Sequence, residues 1–559
     1  MTEQGRVLAL ALATEPIVGS NLRGAVSGAG WLYALPRLEH PRIVCLGAPG
    51  RASLIALACA GDVLVVEGGR RARKRVARDI LGSGLANVEV IGGPAAGPDE
   101  GPIDLLVLRD RAAVAHAVRH GWLDLLAPHG LVVAEPSAAA IAAGIPARAG
   151  TPAIAYRLAA SPFRGEVKAI IPADDHRLRR ALESMGLAGS VTRRRKAAKI
   201  ERRVLGLRPF RSMVVREMLV SGPGLATHEG VPAYVRDLAT ERVGSLDGWD
   251  WAVAARGEYD SQKVLMLLAP PGPSGPAGIV KITRSDVHAA RLRNEAAALE
   301  RLAALPVATG RVPEPLFAGT HAGRAIVGIS LIDGAAFSAR SKFDASDPLL
   351  ADAMGWLTDL AGATVQRVPT ADVTGALAAL LDRYQRIYRP SSWEVGALAE
   401  RLGGIGANGE TFPVVLQHGD PGAWNLMVRP DGRVVFLDWE AYEPFGLPLW
   451  DLFYFFRSYA IAAGRRAGVR DGVDASAAHM LGESALADRF VSAVLAYRER
   501  IDLPAAAIEP LLLGCWIHRA LKEASRLTEK RLQGGLSASL IRRTLGSSGA
   551  PTLRRFADG

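Results

Sequence analysis

The first third of the chain alternates short apolar runs with segments of helical period. RIVCLG (42–47), DVLVVEG (62–68), NVEVIGG (87–93), IDLLVLRD (103–110) and GLVVAEP (130–136) are rich in Val, Ile and Leu and barely interrupted by polar residues. Such runs suit strands covered on both faces, since a strand with one wet face would alternate. Helix-like segments at 51–60, 70–82 and 112–126 separate them. This order predicts an α/β doubly wound parallel sheet. Segments 152–158 and 166–172 are expected to add an edge hairpin. From 173 to about 245 the pattern loosens into a helix at 175–186, a basic run and Gly/Pro-punctuated sequence. A boundary is expected there.

A second α+β pattern then begins. WDWAVAARG (249–257), KVLMLLAP (263–270) and GIVKITR (278–284) read as strands, with PPGPSGPAG (270–278) as a hairpin connector. A helix follows at 286–304 and a further strand at 324–334. Beyond that the pattern is helical except for 413–440. The expected division is therefore 1–172, a connecting region 173–245, a strand-rich part 246–335 and a helical part 336–559.

Two residues in the second pattern break local rules. Lys281 sits mid-strand in GIVKIT. Glu295 falls on the stripe Leu292, Glu295, Leu299, Leu302, whose steps of three and four put it on the apolar face of a helix. A carboxylate facing a core is costly unless paired, and a strand lysine is its natural partner. The alternative is an exposed edge-strand lysine with Glu295 on the rim of the stripe. A Lys–Glu pair between a sheet and a helix is how protein-kinase-like enzymes hold a lysine on nucleotide phosphates.

The segment LQHGDPGAWNLMVRPDGRVVFLDWE (416–440) reads as strand, tight loop, strand, Pro-Asp-Gly turn and returning strand. That hairpin brings Asn425 and Asp438 to one end, with Asp420 in the loop facing the same space. Two hard-oxygen ligands beside a separate carboxylate are what Mg-assisted phosphoryl transfer needs: the oxygens hold the metal, and the carboxylate orients and deprotonates a hydroxyl.

Composition narrows the setting. The chain has 559 residues, 49% of them hydrophobic, enough for more than one core. The net charge of +11 comes mainly from dispersed arginines, with one dense cluster, RRRKAAKIERR (193–203). No aromatics interleave that cluster, which argues against a nucleic-acid groove. Three scattered cysteines (45, 59 and 515) without CxxC spacing point to a reducing compartment. No run reaches the roughly 20 apolar residues that span a bilayer. A cytoplasmic protein without a membrane span is expected, and oligomeric state and protein partners are not legible.

HGDPGAWN followed by LDWE resembles the signature of the aminoglycoside phosphotransferase/choline kinase-like family, which has a two-lobed protein-kinase-like fold. GLPLWDLFYF (446–455) is similar to that family's next segment, and the resemblance covers about 250–530. It implies an N-lobe at 246–335 and a helical C-lobe at 336–559 with the catalytic loop at 416–440. It further implies Asp420 as catalytic base, Asn425 and Asp438 as Mg²⁺ ligands, Lys281 on the ATP phosphates and Glu295 holding it. Ser330 to Asp333 would fall near the adenine. His418 and Asp451 would brace the loop, and Glu440 would face the metal or stand one layer behind it. A Gly-rich phosphate loop is weakly represented, since RGEYDSQ (256–262) has a single glycine.

RIVCLGAPGRASLIALACAGDVLVVEGG looks like the opening of a Rossmann-like S-adenosylmethionine-dependent methyltransferase, with Gly47 in the turn and Glu67 placed for ribose hydroxyls. Pro49 and Arg51 stand where glycines let the ligand approach, and Cys45 stands where an acid is usual. Those side chains would crowd the cofactor. The expectation is a methyltransferase-like fold used for binding or scaffolding, with S-adenosylmethionine turnover as the alternative.

The leading functional expectation is transfer of the ATP γ-phosphate to a small-molecule hydroxyl on a sugar, polyol or related metabolite. The alternatives are a non-catalytic binding or scaffold protein and a bifunctional methyltransferase–kinase. The basic helix CWIHRALKEASRLTEKR (515–531) argues against a cationic acceptor. Trp424 is placed either to stack on a sugar or to pack within the loop.

Overall fold

The computed structural model describes residues 30–92, 101–145, 151–160, 167–172, 178, 215–225, 230–255, 263–272, 277–407, 409–547 and 549–558. The basic cluster 193–203 and the glycine-poor loop 256–262 lie outside them, as do the helix expected at 175–186, apart from Leu178, and much of the 270–278 connector. Two compact units are present. One comprises Leu22–Leu292 with Pro315–Leu331, and the other is built from Arg293–Glu314 and Ile332–Gly559.

The first unit is organised by one sheet of 13 strands. Its methyltransferase-like part has β1 (Arg42–Leu46), β2 (Asp62–Val66), β3 (Val88–Ile91), β4 (Ile103–Leu108) and β5 (Leu126–Ala134), all pairing in parallel in the order β5-β4-β1-β2-β3. Helices Arg51–Ala58, Arg70–Ser83 and Arg111–Arg119 connect them. Ile43, Val44, Cys45, Leu105, Leu106 and Val107 are buried without exception, which is why these strands read as unbroken apolar runs. Apolar cores form on both faces of this part of the sheet.

Segments 152–158 and 166–172 do pair antiparallel, as β6 (Ala153–Ala160) and β7 (Val167–Pro172), but they are not at an edge. β8 (Val215–Ser221) pairs with both β5 and β6, and β7 pairs with β9 (Asp250–Ala254). The hairpin is therefore interior and bridges two sheets into one. Its sequence shows why an edge was expected: it lacks the dense Val/Ile/Leu run of β4, so nothing local announces neighbours on both sides.

Beyond the bridge run β10 (Val264–Ala269), β11 (Gly278–Ile282), β12 (Pro315–His321) and β13 (Arg324–Ser330), antiparallel in the order β9-β10-β11-β13-β12. This is the kinase-like N-lobe sheet. β12 is a strand that the pattern reading passed over: its burial is broken and its pairing with β13 shifts register near Pro315. One apolar core runs from Trp31 and Tyr33 through Tyr156 and Met218 to Trp251, Met266, Val280 and Phe317. Tyr234 Oη donates to the Tyr33 carbonyl at 2.7 Å, and Arg324 Nη2 to the Cys59 carbonyl at 2.8 Å. The N-lobe sheet and the methyltransferase-like sheet thus share one interior.

The second unit is mostly helical. Its short strands β14 (Ala335–Ala336), β17 (Leu426–Val428) and β18 (Val434–Phe436) form one small sheet, and β15 (Gln366–Pro369), β16 (Thr411–Gln417) and β19 (Glu443–Gly446) another. Around them pack helices that include Pro348–Thr364, Trp450–Arg466 and Ile508–Ala524. The last two are buried along most of their length, which accounts for sequences such as DLFYFF and LLLGCWI. None of the described helices is long and apolar enough to cross a membrane.

Candidate active site

β16 delivers Gln417 and His418 to a tight loop, and the β17–β18 hairpin returns the chain beside it. The hairpin register is Leu426↔Phe436 to Val428↔Val434. Asp352 holds its base: it accepts from the Val434 N–H at 2.8 Å and binds both guanidinium nitrogens of Arg311 at 2.5 and 2.8 Å.

Three groups shape the loop. Gly419 has φ +74°, and an added Cβ would lie 2.0 Å from the Ala441 carbonyl oxygen, so only glycine fits between His418 and Asp420. Asp451, in the first turn of Trp450–Arg466, accepts the N–H groups of His418 at 2.6 Å and Gly419 at 3.0 Å. That is the tether its position suggested. Burial raises the Asp451 carboxyl's proton affinity, with His418 and the two N–H groups opposing. His418 is fully buried against Trp439 and Phe436. Its Nε2 lies 2.8 Å from the Leu437 carbonyl oxygen, and its Nδ1 accepts from the Asp420 N–H at 3.2 Å. These two contacts make His418 a brace linking the loop to the residue before Asp438.

Asp420 is half-open. Arg519 Nη2 contacts its Oδ1 at 2.6 Å while Arg519 Nη1 donates to the Gly419 carbonyl at 2.9 Å. The Asn425 amide donates to the Asp420 carbonyl at 2.9 Å and to Oδ2 at 3.3 Å. Burial pushes the carboxyl's pKa up, but Arg519, Lys522 and His418 outweigh it and hold it below the usual carboxylate value. Asp420 is therefore ionised near neutrality. Asn425 also accepts at its backbone carbonyl from the Leu437 N–H at 2.8 Å, which ties the Asn425 turn to the strand end at Asp438. Asp438 lies two residues past β18 with φ +67°, a left-handed conformation that costs a non-glycine residue about 1–3 kcal/mol unless the surroundings impose it.

The pattern reading named Asp420, Asn425 and Asp438; the Asn425 amide meets Asp420, and the Leu437 N–H ties the Asn425 carbonyl to the strand end that precedes Asp438. It missed the residues that helix Ile508–Ala524 contributes. Arg519 is buried, with its guanidinium 3.2 Å from the Tyr454 ring centroid. Burial lowers the Lys522 pKa and the Arg519 charge lowers it further, to about 8, against the pull of Glu443 and Asp420. Glu443 is raised to about 7, by burial first and by Asp451, with Lys522 opposing. An arginine in an apolar helix one hundred positions from the loop carries one local signal, its place on a buried stripe: Leu512, Cys515, Trp516 and Arg519 all face inward.

Lys281 is buried in β11 between Leu265 of β10 and Val327 of β13, an interior strand and not an edge. Glu295 is fully buried with Leu292, Leu299 and Leu302 on its helix. The two residues belong to different compact units. Ser330 ends β13 half-buried, and Asp333 is exposed. Trp424 is 62% exposed, with its ring edge-on to Tyr454 at 6.0 Å.

Residues 251–488 match the family model described as the phosphotransferase enzyme family. They form a phosphotransferase domain. Solved structures similar to the chain include a choline/ethanolamine kinase family protein from Mesorhizobium loti, at 17% identity and a TM-score of 0.32, covering 53% of this chain and 90% of that one. An aminoglycoside phosphotransferase from Streptomyces rimosus, in complex with ADP and streptomycin, matches at 15% identity and a TM-score of 0.29, covering 48% and 93%. An rRNA methylase from Streptococcus thermophilus matches at 18% and 0.18, covering 21% and 78%. No curated protein matches the chain. The matched residues run from β9 to the helices after the 416–440 segment, and the parallel sheet precedes them.

The methyltransferase-like part is arranged differently at its corresponding loop. Gly47, at φ +92°, donates its N–H to Val66 at 2.9 Å. Glu67 accepts from the Ala48 N–H at 2.8 Å through Oε2 and from the Gly69 N–H at 2.7 Å through Oε1. Cys45 is wholly buried, its thiol proton held on by desolvation, and its Sγ lies 3.4 Å from the Gly47 carbonyl. Arg51 points away, to Ser83 and the Gly82 carbonyl. S-Adenosylmethionine asks for an acid where Cys45 stands, and for open backbone N–H groups where Pro49 has none. The residues present do not fit it.

Proposed function

We propose that the chain is an ATP- and Mg²⁺-dependent phosphotransferase acting on a hydroxyl of a small molecule. The observation that carries this reading is Asp420: a half-open, ionised carboxylate with one oxygen on Arg519 and the other near the Asn425 amide. The domains it uses are those expected from the sequence, with the N-lobe at 246–335 and the C-lobe at 336–559.

The Asn425 side-chain oxygen and the Asp438 carboxylate would hold Mg²⁺. The amide's NH₂ is turned to Asp420, so its oxygen is the end directed elsewhere. A hard cation that also takes phosphate and water oxygens needs no more than these from the protein, and when bound it neutralises phosphate charge. Lys281 would reach the ATP phosphates and Glu295 would hold it, with Ser330 and Asp333 at the adenine side. Asp420 orients the acceptor hydroxyl and takes its proton as the oxygen–phosphorus bond forms and the bond to ADP breaks. The Arg519 contact makes Asp420 a weak base, which suits a loose transition state in which little negative charge builds on the attacking oxygen. His418 and Asp451 keep the loop in register by backbone bonds and take no part in proton transfer.

The test is Mg²⁺-dependent ADP release from the purified protein across sugars, polyols, amino alcohols and aminoglycosides. Alongside it, a non-hydrolysable ATP analogue with Mg²⁺ should raise the melting temperature, and Asp438→Ala should remove that gain. A gain kept in the variant would move the metal site elsewhere.

A further inference from the structure

One face of helix Ile508–Ala524 meets the loop at Asp420 through Arg519. Arg519 and Lys522 are one turn apart and therefore share that face. Arg519 is committed, with its two terminal nitrogens on the catalytic loop and its plane against Tyr454. Lys522 is not: protein crowds it enough to disfavour its charge, yet its side chain keeps contact with solvent, and among the described residues its ammonium has no hydrogen-bond or ion-pair partner. It stands one turn from Arg519, whose guanidinium grips the loop at Gly419 and Asp420, and its charge acts on Asp420, Glu443 and Asp451.

The neighbouring charges are already occupied. Asp420 is taken by Arg519, and Asp451 by the two loop N–H groups. Glu523 accepts from Ser537 Oγ at 2.7 Å and lies 3.7 Å from Arg457. Glu443 pairs across from Gln417, at the foot of the loop. Near neutrality it is about half protonated, because burial lifts its pKa to about 7. Among these groups the charge without a contact of its own is that of Lys522. An acceptor made cationic by amino groups would meet it with repulsion, and a neutral polyol would leave it unused.

Resting on the phosphotransferase reading, we propose that the acceptor is an anionic alcohol, bearing a carboxylate or a phosphate besides its reactive hydroxyl, and that Lys522 is the residue that selects it. The anionic group binds the ammonium while the hydroxyl meets Asp420 one helical turn away. No bond to Lys522 forms or breaks; its part is recognition.

The experiment pairs each anionic acceptor with its neutral parent at pH 7: glucose 6-phosphate and gluconate against glucose, and glycerol 3-phosphate and glycerate against glycerol, with kanamycin as the cationic arm. ADP release should favour an anionic member over its neutral parent by about tenfold or more in kcat/KM, the value of one charge-assisted contact. The phosphate and carboxylate arms show which anion is preferred. Lys522→Met should raise the KM of the preferred anionic acceptor about tenfold, and Lys522→Arg should restore most of it. The residue is exposed, so a melting curve matching the parent's is expected for both. The proposal is overturned if neutral or cationic members are preferred, if no anionic member exceeds its parent, or if Lys522→Met leaves KM where it was. Acceptor-independent ATP hydrolysis that Asp420→Asn removes keeps the phosphotransferase reading standing in each of those cases. Its absence, with no turnover of any acceptor, sinks both.

Discussion

Two loops in this chain place a carboxylate at the end of a strand, and they use it in opposite ways. In the loop after β1, Glu67 reaches across from β2 and gives one oxygen to the Ala48 N–H and the other to the Gly69 N–H. The acid holds the loop closed. In the loop after β16 the same bracing task falls to Asp451 and His418, which take the backbone groups of residues 418–420. Asp420 is thereby freed from supporting its own loop and meets side chains instead. A carboxylate becomes available for chemistry when other residues carry the structural load around it. In the methyltransferase-like loop Glu67 itself holds the N–H groups of Ala48 and Gly69, and the acid is spent there.

That contrast orders the expected effects of substitution. Asp420→Asn keeps the size and removes the base, and ATP turnover should fall by about 10²–10⁴-fold, the usual worth of general-base catalysis. A variant that turned over ATP like the parent would show that Asp420 is another bracing residue. Arg519→Ala comes next. It leaves Asp420 without its ion pair and Gly419 without its donor, so kcat should fall about 10- to 100-fold, with the low-pH limb of the rate profile moving up as the Asp420 pKa rises. Arg519→Lys should recover the pH profile better than the rate, because an ammonium supplies the charge without the two-pronged grip. An unmoved pH profile in Arg519→Ala would reduce Arg519 to packing.

The pH dependence of acceptor affinity should be smaller. Lys522 is charged below about pH 8 and neutral above it, and Glu443 gains its charge as pH rises through about 7. Arg519 on the same helix, and Asp420 and Asp451 facing it, complete the charges that set this value, while burial holds His518 on that helix neutral. Both changes oppose an anionic acceptor, so its KM should rise several-fold between pH 7 and 9. A KM that fell over that range would contradict the charge assignment. Smallest of all, Glu67→Gln should cost about 1 kcal/mol of stability, read by denaturant unfolding, because the amide can accept only one of the two N–H bonds. ATP turnover should not change. Calorimetry with S-adenosylmethionine should show no micromolar binding, and such binding would mean that the Glu67 loop opens after all.

The parallel sheet was legible because every strand from β1 to β5 is covered on both faces and shows it as an apolar run. The loop 418–425 was legible for a different reason: its glycine, its Asp and its Asn fall within eight residues of one tight turn. Glu295 was legible as a carboxylate on a leucine stripe, and it is indeed fully buried. β6 and β7 were placed at an edge because strand neighbours are not written in a strand's own residues. Arg519 and Lys522 were visible only as members of a basic helix, since what matters is the face they share and the loop it meets.

Local patterning therefore determined most of the elements and marked the 416–440 segment, because periodicity and tight turns act over a few residues. Tertiary structure alone decided that the two sheets share one interior, that Glu67 is consumed by its own loop, and that Arg519 reaches Asp420 from ninety-nine positions away. Those outcomes depend on which surfaces come together, and hydrogen bonds and charges between distant segments leave no periodic trace in the chain.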